Sequence, residues 1–222
     1  MREELARPAR LPGPYFIKDG YRERPSPRYD DLTAVGTNWQ STVYERAAEA
    51  AASYGASLVI DVGCGDGRNL PLLGAVRVIG MDYGANLEAA RASHPNVEFV
   101  EIDLDSEVVE LPVDTRHAVI ICADVIEHLR RPELLLGQLR RALENKAYLV
   151  LLSTPERDLW WGRHHFGPPP NEGHVREWNR AEFGALLASE RFTGQLEIVR
   201  SNDVGPERKT LLAKLDGVRA LE

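Results

Sequence analysis

The chain has 222 residues, 43% of them hydrophobic and 27% charged, with a formal net charge of -7. That length and apolar content suit one large domain, and the negative balance excludes a nucleic-acid protein built on a broad basic surface. No run approaches the roughly 18 apolar residues of a membrane span, and the stretch Met1 to Arg7 lacks an apolar signal core, so a cytoplasmic protein with no membrane span is expected.

Residues 1–36 carry Pro8, Pro12, Pro14, Pro25 and Pro27 among scattered arginines, a composition that resists helix and sheet. They are expected to form an irregular arm ahead of a domain spanning 37–222. An arm of this kind acts as a lid, a dimer strap or a loose tail, which leaves a homo-oligomer open. The spacing of Trp39, Val43, Ala47 and Ala50 predicts a helix over 39–54.

Short apolar runs then alternate with helical segments. Strands are expected at 57–62, 76–81, 97–102, 117–122 and 148–153, with helices at 87–93 and 132–144. Pro132 suits a first helical turn, and Leu134, Leu135, Leu139 and Leu143 share a face. A helix at 181–189 precedes two further strands at 195–200 and 209–214, joined by a turn through 202–206. Such alternation implies a doubly wound, mostly parallel α/β sheet with an antiparallel end. Cys64 and Cys122 sit in glycine-rich or apolar segments and read as buried thiols.

The sharpest chemical signal is Asp61-Val62-Gly63-Cys64-Gly65-Asp66-Gly67 at a strand end, where glycines allow a tight turn and close approach to a ligand. A nicotinamide fingerprint needs the spacing G-x-G-x-x-G, but here position 68 is Arg. Asp82 follows the second strand, where a carboxylate accepts bonds from ribose hydroxyls, and Asp103 follows the third, in position for an adenine amino group.

Together these residues resemble the class I S-adenosylmethionine-dependent methyltransferases over roughly residues 40–215. The resemblance implies a Rossmann-like seven-stranded sheet of order 3-2-1-4-5-7-6 with strand 7 antiparallel, S-adenosylmethionine as cofactor and S-adenosylhomocysteine as product. It implies donor contacts from Asp61, Gly63, Cys64, Gly65, Asp82, Tyr83, Asp103 and Leu104, and from Ala123 and Asp124 in the segment ICADVIEHL.

Residues 155–178 form a connection long enough to be a lid or binding loop. Trp160, Trp161, Phe166 and Trp178 would offer flat apolar faces, with Asn171, Arg176 and Glu177 for polar contacts. STPERD at 153–158, Gly167-Pro168-Pro169 and HVREW at 174–178 resemble a subgroup found with glycan and polysaccharide assembly enzymes. That implies O-methylation of a small polar acceptor, a hydroxyl of a sugar or glycosylated metabolite. His165, His174 and His128 are the candidate bases, since an imidazole suits proton removal near neutral pH, although each could equally orient a loop. Adjacent His164 and His165 do not readily converge with His174 and Glu177 on an ion, so no metal is expected. Three alternatives remain: N- or C-methylation of a natural product, a nicotinamide-dependent oxidoreductase disfavoured by the glycine spacing, and a non-catalytic donor-binding partner protein.

Overall fold

The computed structural model describes residues 3–4, 14–25, 39–106, 110–111, 113–202 and 205–220. Eight strands form one sheet, of which Glu3–Glu4 is a two-residue edge strand and the other seven are β1 Leu58–Val62, β2 Arg77–Asp82, β3 Glu98–Glu101, β4 Val119–Ala123, β5 Leu149–Pro155, β6 Phe192–Val199 and β7 Thr210–Val218. Their spatial order is 3-2-1-4-5-7-6. The register pairs Ile60 with Ile79 and with Ile120, and Ile120 with Val150, all in parallel. β7 then inserts antiparallel between β5 and β6. The fold is the Rossmann-like sheet of the class I methyltransferases.

Alternation along the central strands divides the core into two layers. Ile60, Val62, Ile120, Cys122, Val150 and Leu152 face α3 Pro132–Glu144 and α5 Arg180–Ser189. Val59, Val119, Ile121, Leu149 and Leu151 face α1 Ser41–Tyr54. The same parity turns Asp61 towards α1, away from the layer that holds Ile60 and Val62. Helix α2 Gly84–Ser93 buries Leu87 and Ala90, and the short α4 Arg157–Trp161 opens the long loop after β5. Both cysteines are buried and unbridged.

Helix α1 begins two residues later than its apolar spacing suggests. Gln40 takes a left-handed conformation, φ 64°, and donates its backbone N–H to Ser201 O, so the helix cannot extend back to Trp39. The expected irregular arm needs a correction too, because Glu3–Glu4 pairs antiparallel with β6 at the sheet edge, where β6 had an open ladder. Pro14–Phe16 forms a 3-10 turn, and 17–25 runs irregularly but firmly across the long loop. There Arg22 N donates to Phe166 O and Arg24 N to Val175 O, while the Arg22 and Arg24 guanidinia reach Gly167 O and Pro169 O. The remainder of the arm, and 203–204 of the expected turn at 202–206, lie outside the described residues.

Candidate active site

Gly63 N and Cys64 N both donate to Met81 O, which folds the chain sharply after β1 and lays the glycine loop across the end of β2. Gly63 has φ +79°, and a Cβ there would stand 2.3 Å from Val125 Cγ2, so glycine is required on steric and conformational grounds. Asp82, nearly buried, accepts from Gly65 N at 2.7 Å and from Tyr83 N at 2.8 Å. This holds the carboxylate at the mouth of the loop.

Two adjoining cavities open along the carboxyl edge of the parallel strands. The smaller, about 360 Å³, is lined by Asp82, Tyr83, Asp103, Leu104, Val125 and Leu129 among others. The larger, about 580 Å³, runs from Gly63, Cys64 and Gly65 past Ala123 and Asp124 to the loop after β5. Gly63 and His128 border both. A glycine cradle that any Cβ would fill, a carboxylate fixed after β2, and an apolar slot at Leu104 beside Asp103 match the methionine, ribose and adenine parts of S-adenosylmethionine respectively.

Of the residues expected to meet the donor, Asp61 alone lines neither cavity. It is wholly buried behind Tyr44, whose hydroxyl donates to Asp61 Oδ2 at 2.8 Å and which itself lines the larger cavity. Asp61 Oδ1 has no hydrogen-bond partner among the described residues. Burial raises its pKa to about 7, against the lowering effect of the Tyr44 bond. The acid therefore reaches the cavity only through Tyr44, which sequence reading missed because nothing local marks a tyrosine in an amphipathic helix.

Asp124 sits at φ 52° and closes the floor of the larger cavity. Its N–H faces Ser153 O and Oγ at 3.3 and 3.2 Å, and the Gln40 side-chain amide donates to its carboxylate. Gln40 and Thr210 join the same network from distant parts of the sequence. Only tertiary pairing of the first helix with β7 reveals them.

From the loop after β5, Trp160, Trp161, Asn171, His174 and Glu177 line the larger cavity, with Trp39 from the chain ahead of α1. The ring centroids of Trp39 and Trp160 are 6.3 Å apart, and those of Trp160 and Trp161 5.9 Å. Glu177 accepts from His174 Nδ1 at 2.6 Å and from Trp161 Nε1 at 2.7 Å. Asn171 Oδ1 accepts from Gly173 N, which turns Asn171 Nδ2 towards His174 Nε2 at 3.0 Å. His128 Nδ1 meets Gly173 O at 2.7 Å, and its ring stands edge-on to His174 with centroids 4.7 Å apart. Removal from water, then the neighbouring His174, push the His128 pKa down to about 3.

Three expected acceptor contacts are drawn away from the cavity. Trp178 is fully buried and donates its indole N–H to Tyr15 O. Arg176 is spent on Leu129 O, Arg130 O and Glu23, because a buried guanidinium needs its donors satisfied. Phe166 lies under the Lys18 ammonium on the outer side of the loop. His165 stands beside Trp161, with its Nε2 unpartnered among the described residues, and is not part of the cavity lining. The structure thus brings His128 and His174 together, and adds Glu127, whose carboxylate accepts from Thr154 Oγ1 at 2.9 Å.

These features agree with the comparisons to known proteins. The chain is 30% identical over 116 residues to trans-aconitate 2-methyltransferase of Azoarcus sp. strain BH72, covering 45% of this chain and 46% of that one. It is 31% identical over 114 residues to malonyl-[acyl-carrier protein] O-methyltransferase of Halalkalibacterium halodurans, covering 48% and 42%. The matches thus span about half the length of these curated relatives. The methyltransferase domain of bacterial CtHen1-C superimposes with a TM-score of 0.59 at 20% identity, over 82% of this chain and all of that one. A family model described as a methyltransferase domain matches residues 39–193, and the chain belongs to that family, with the class I fold and S-adenosylmethionine as its cofactor.

Proposed function

We propose that this protein transfers a methyl group from S-adenosylmethionine to a hydroxyl oxygen of a small neutral acceptor, a saccharide or glycosylated metabolite. The observation that carries this reading is the charge of the larger cavity. Asp66, Asp124 and Glu177 line it, while its one arginine, Arg68, is bound to Asp66 at 2.6 Å. A polycarboxylate such as the trans-aconitate named for one curated relative would meet repulsion there. A polyol finds hydrogen-bond acceptors at its rim and a wall of indole rings for its apolar face.

The donor supplies an electrophilic methyl on sulfur. The acceptor oxygen forms the new C–O bond as the methyl–sulfur bond breaks with its electron pair left on sulfur, and the hydroxyl proton must leave. Loop and floor supply alignment, the largest requirement of an in-line displacement. Glu177 holds the His174 Nδ1 and so turns the ring's Nε2, now facing Asn171 Nδ2, towards the cavity as the proton acceptor.

Mass-spectrometric screening with labelled donor, run in parallel on saccharide and dicarboxylate panels, tests the proposal. Label appearing only on carboxylates would overturn it. With a true acceptor in hand, His174→Ala should lower turnover by about 10² to 10⁴-fold with donor affinity little changed.

A further inference from the structure

Glu127 and His128 leave β4 on the 3-10 turn Ile126–His128, and His174 descends from the loop after β5. One ligand atom from each, a carboxylate oxygen and two ring nitrogens, lie within 4.8 Å of one another. We propose that Glu127, His128 and His174 bind one divalent first-row transition ion at the floor of the acceptor cavity.

The outer contacts are those that orient histidines for a metal. A ligating imidazole generally donates its other N–H to a carboxylate or a backbone carbonyl. Here the His174 Nδ1 is held by Glu177 and the His128 Nδ1 by Gly173 O. Glu177 is itself fixed by the Trp161 indole. Independently, Glu127 is fully buried and its Oε1 has no partner among the described residues. A buried carboxylate left in that state is costly, and a cation beside it removes the cost. Two imidazoles with one carboxylate favour manganese, iron, cobalt or zinc over magnesium, and leave positions open for acceptor oxygens.

Ligands about 2.1 Å from one ion stand roughly 3 to 3.5 Å apart, so the loop must draw His174 inward and Asn171 Nδ2 must give up its place on His174 Nε2. Asn171 is exposed and can swing aside. This inference replaces the expectation of metal independence, which considered only His164, His165 and Glu177 as partners for His174. The ion's role rests on the proposed function: it would hold an acceptor oxygen and lower its proton affinity, so that the proton passes to water while His128 and His174 serve as ligands in place of proton acceptors.

The test is titration of the chelator-treated full chain with cobalt(II), followed by visible absorption, and with manganese(II), followed by paramagnetic resonance and calorimetry. One saturable ion per chain is expected. His128→Ala and His174→Ala should each weaken it on the order of a hundredfold or more, and Glu177→Gln, which leaves the three ligands in place, about 10 to 100-fold. His164→Ala, on the exposed outer loop, should leave ion affinity unchanged. Absence of stoichiometric binding in the unaltered chain, or equal affinity in the His128 and His174 variants when both remain folded by circular dichroism, overturns the site. S-adenosylhomocysteine affinity and methyl transfer are measured on the same samples. Ion binding with transfer to no hydroxyl acceptor would sink the proposed function alone, and full transfer by ion-free protein would sink the ion's role alone.

Discussion

The Tyr44 hydroxyl and the Asp61 carboxylate meet at 2.8 Å, with Asp61 sealed from water and one of its oxygens unpartnered among the described residues. Its folded pKa of about 7 lies above the ordinary value of 3.8, so between those limits the folded protein holds a proton that the unfolded chain has released. Asp61 therefore contributes stability that is fully present below about pH 4 and is lost as pH rises through 7, by a few kcal/mol at most. Asp61→Asn should flatten the decline in thermal stability between pH 5 and 8. An unchanged slope in that variant would show that Asp61 is ionised throughout. Tyr44→Phe removes the bond that opposes the shift, and should steepen the decline.

Asp82 clamps the glycine loop through Gly65 N and faces the smaller cavity. Asp82→Asn should weaken donor binding by about 10 to 100-fold, the value of a hydrogen bond or two to a charged group. Calorimetry with S-adenosylhomocysteine checks this, and unaltered affinity in a folded variant would remove the ribose assignment.

Gly63→Ala places a methyl 2.3 Å from Val125 Cγ2 at a backbone angle of +79°. Unfolding in urea should show a loss of about 1 to 3 kcal/mol. Adding Val125→Ala should recover the steric part and leave the backbone part. Complete recovery would mean that the left-handed conformation costs nothing.

Arg157 is fully buried and its guanidinium meets both oxygens of Glu182, at 2.6 and 3.0 Å. Glu182 also completes the capping box of α5 with Asn179. Glu182→Ala should destabilise the protein by about 1 to 3 kcal/mol, because it removes the bidentate partner of a buried cation and leaves Asp158 alone to neutralise it. A loss below about 1 kcal/mol in urea titration would show that water reaches Arg157.

The sheet was legible in the sequence because each central strand is a short apolar run stopped by glycine or acid, and α3 was placed to the residue because Pro132 and the leucine spacing agree. The two cavities at the carboxyl edge were legible because Gly63, Asp82, Asp103 and Asp124, which line them, all stand at or just beyond strand ends. Tyr44, Gln40 and Thr210 were not, since each joins the site through packing between elements far apart in sequence. Trp178 and Arg176 misled for the opposite reason. Aromatic and charged residues in a long loop suggest contact with a ligand, but Tyr15 and Glu23 from the other end of the chain take them instead. Glu127 passed unnoticed because an acid in an amphipathic stretch looks solvated, whereas this one is shut inside.

The binding of residues 14–25 across the back of the long loop bears on how such an enzyme could be re-engineered. The family-matched region begins at 39, yet Arg22, Arg24, Tyr21 and Glu23 brace Gly167, Pro169, Glu177 and Arg176 from outside it. The unit formed by the long loop and its support is therefore discontinuous. A chimaera made by transplanting 156–178 alone from a relative would set a foreign loop on a native buttress, and a graft that preserves its shape has to carry both segments together.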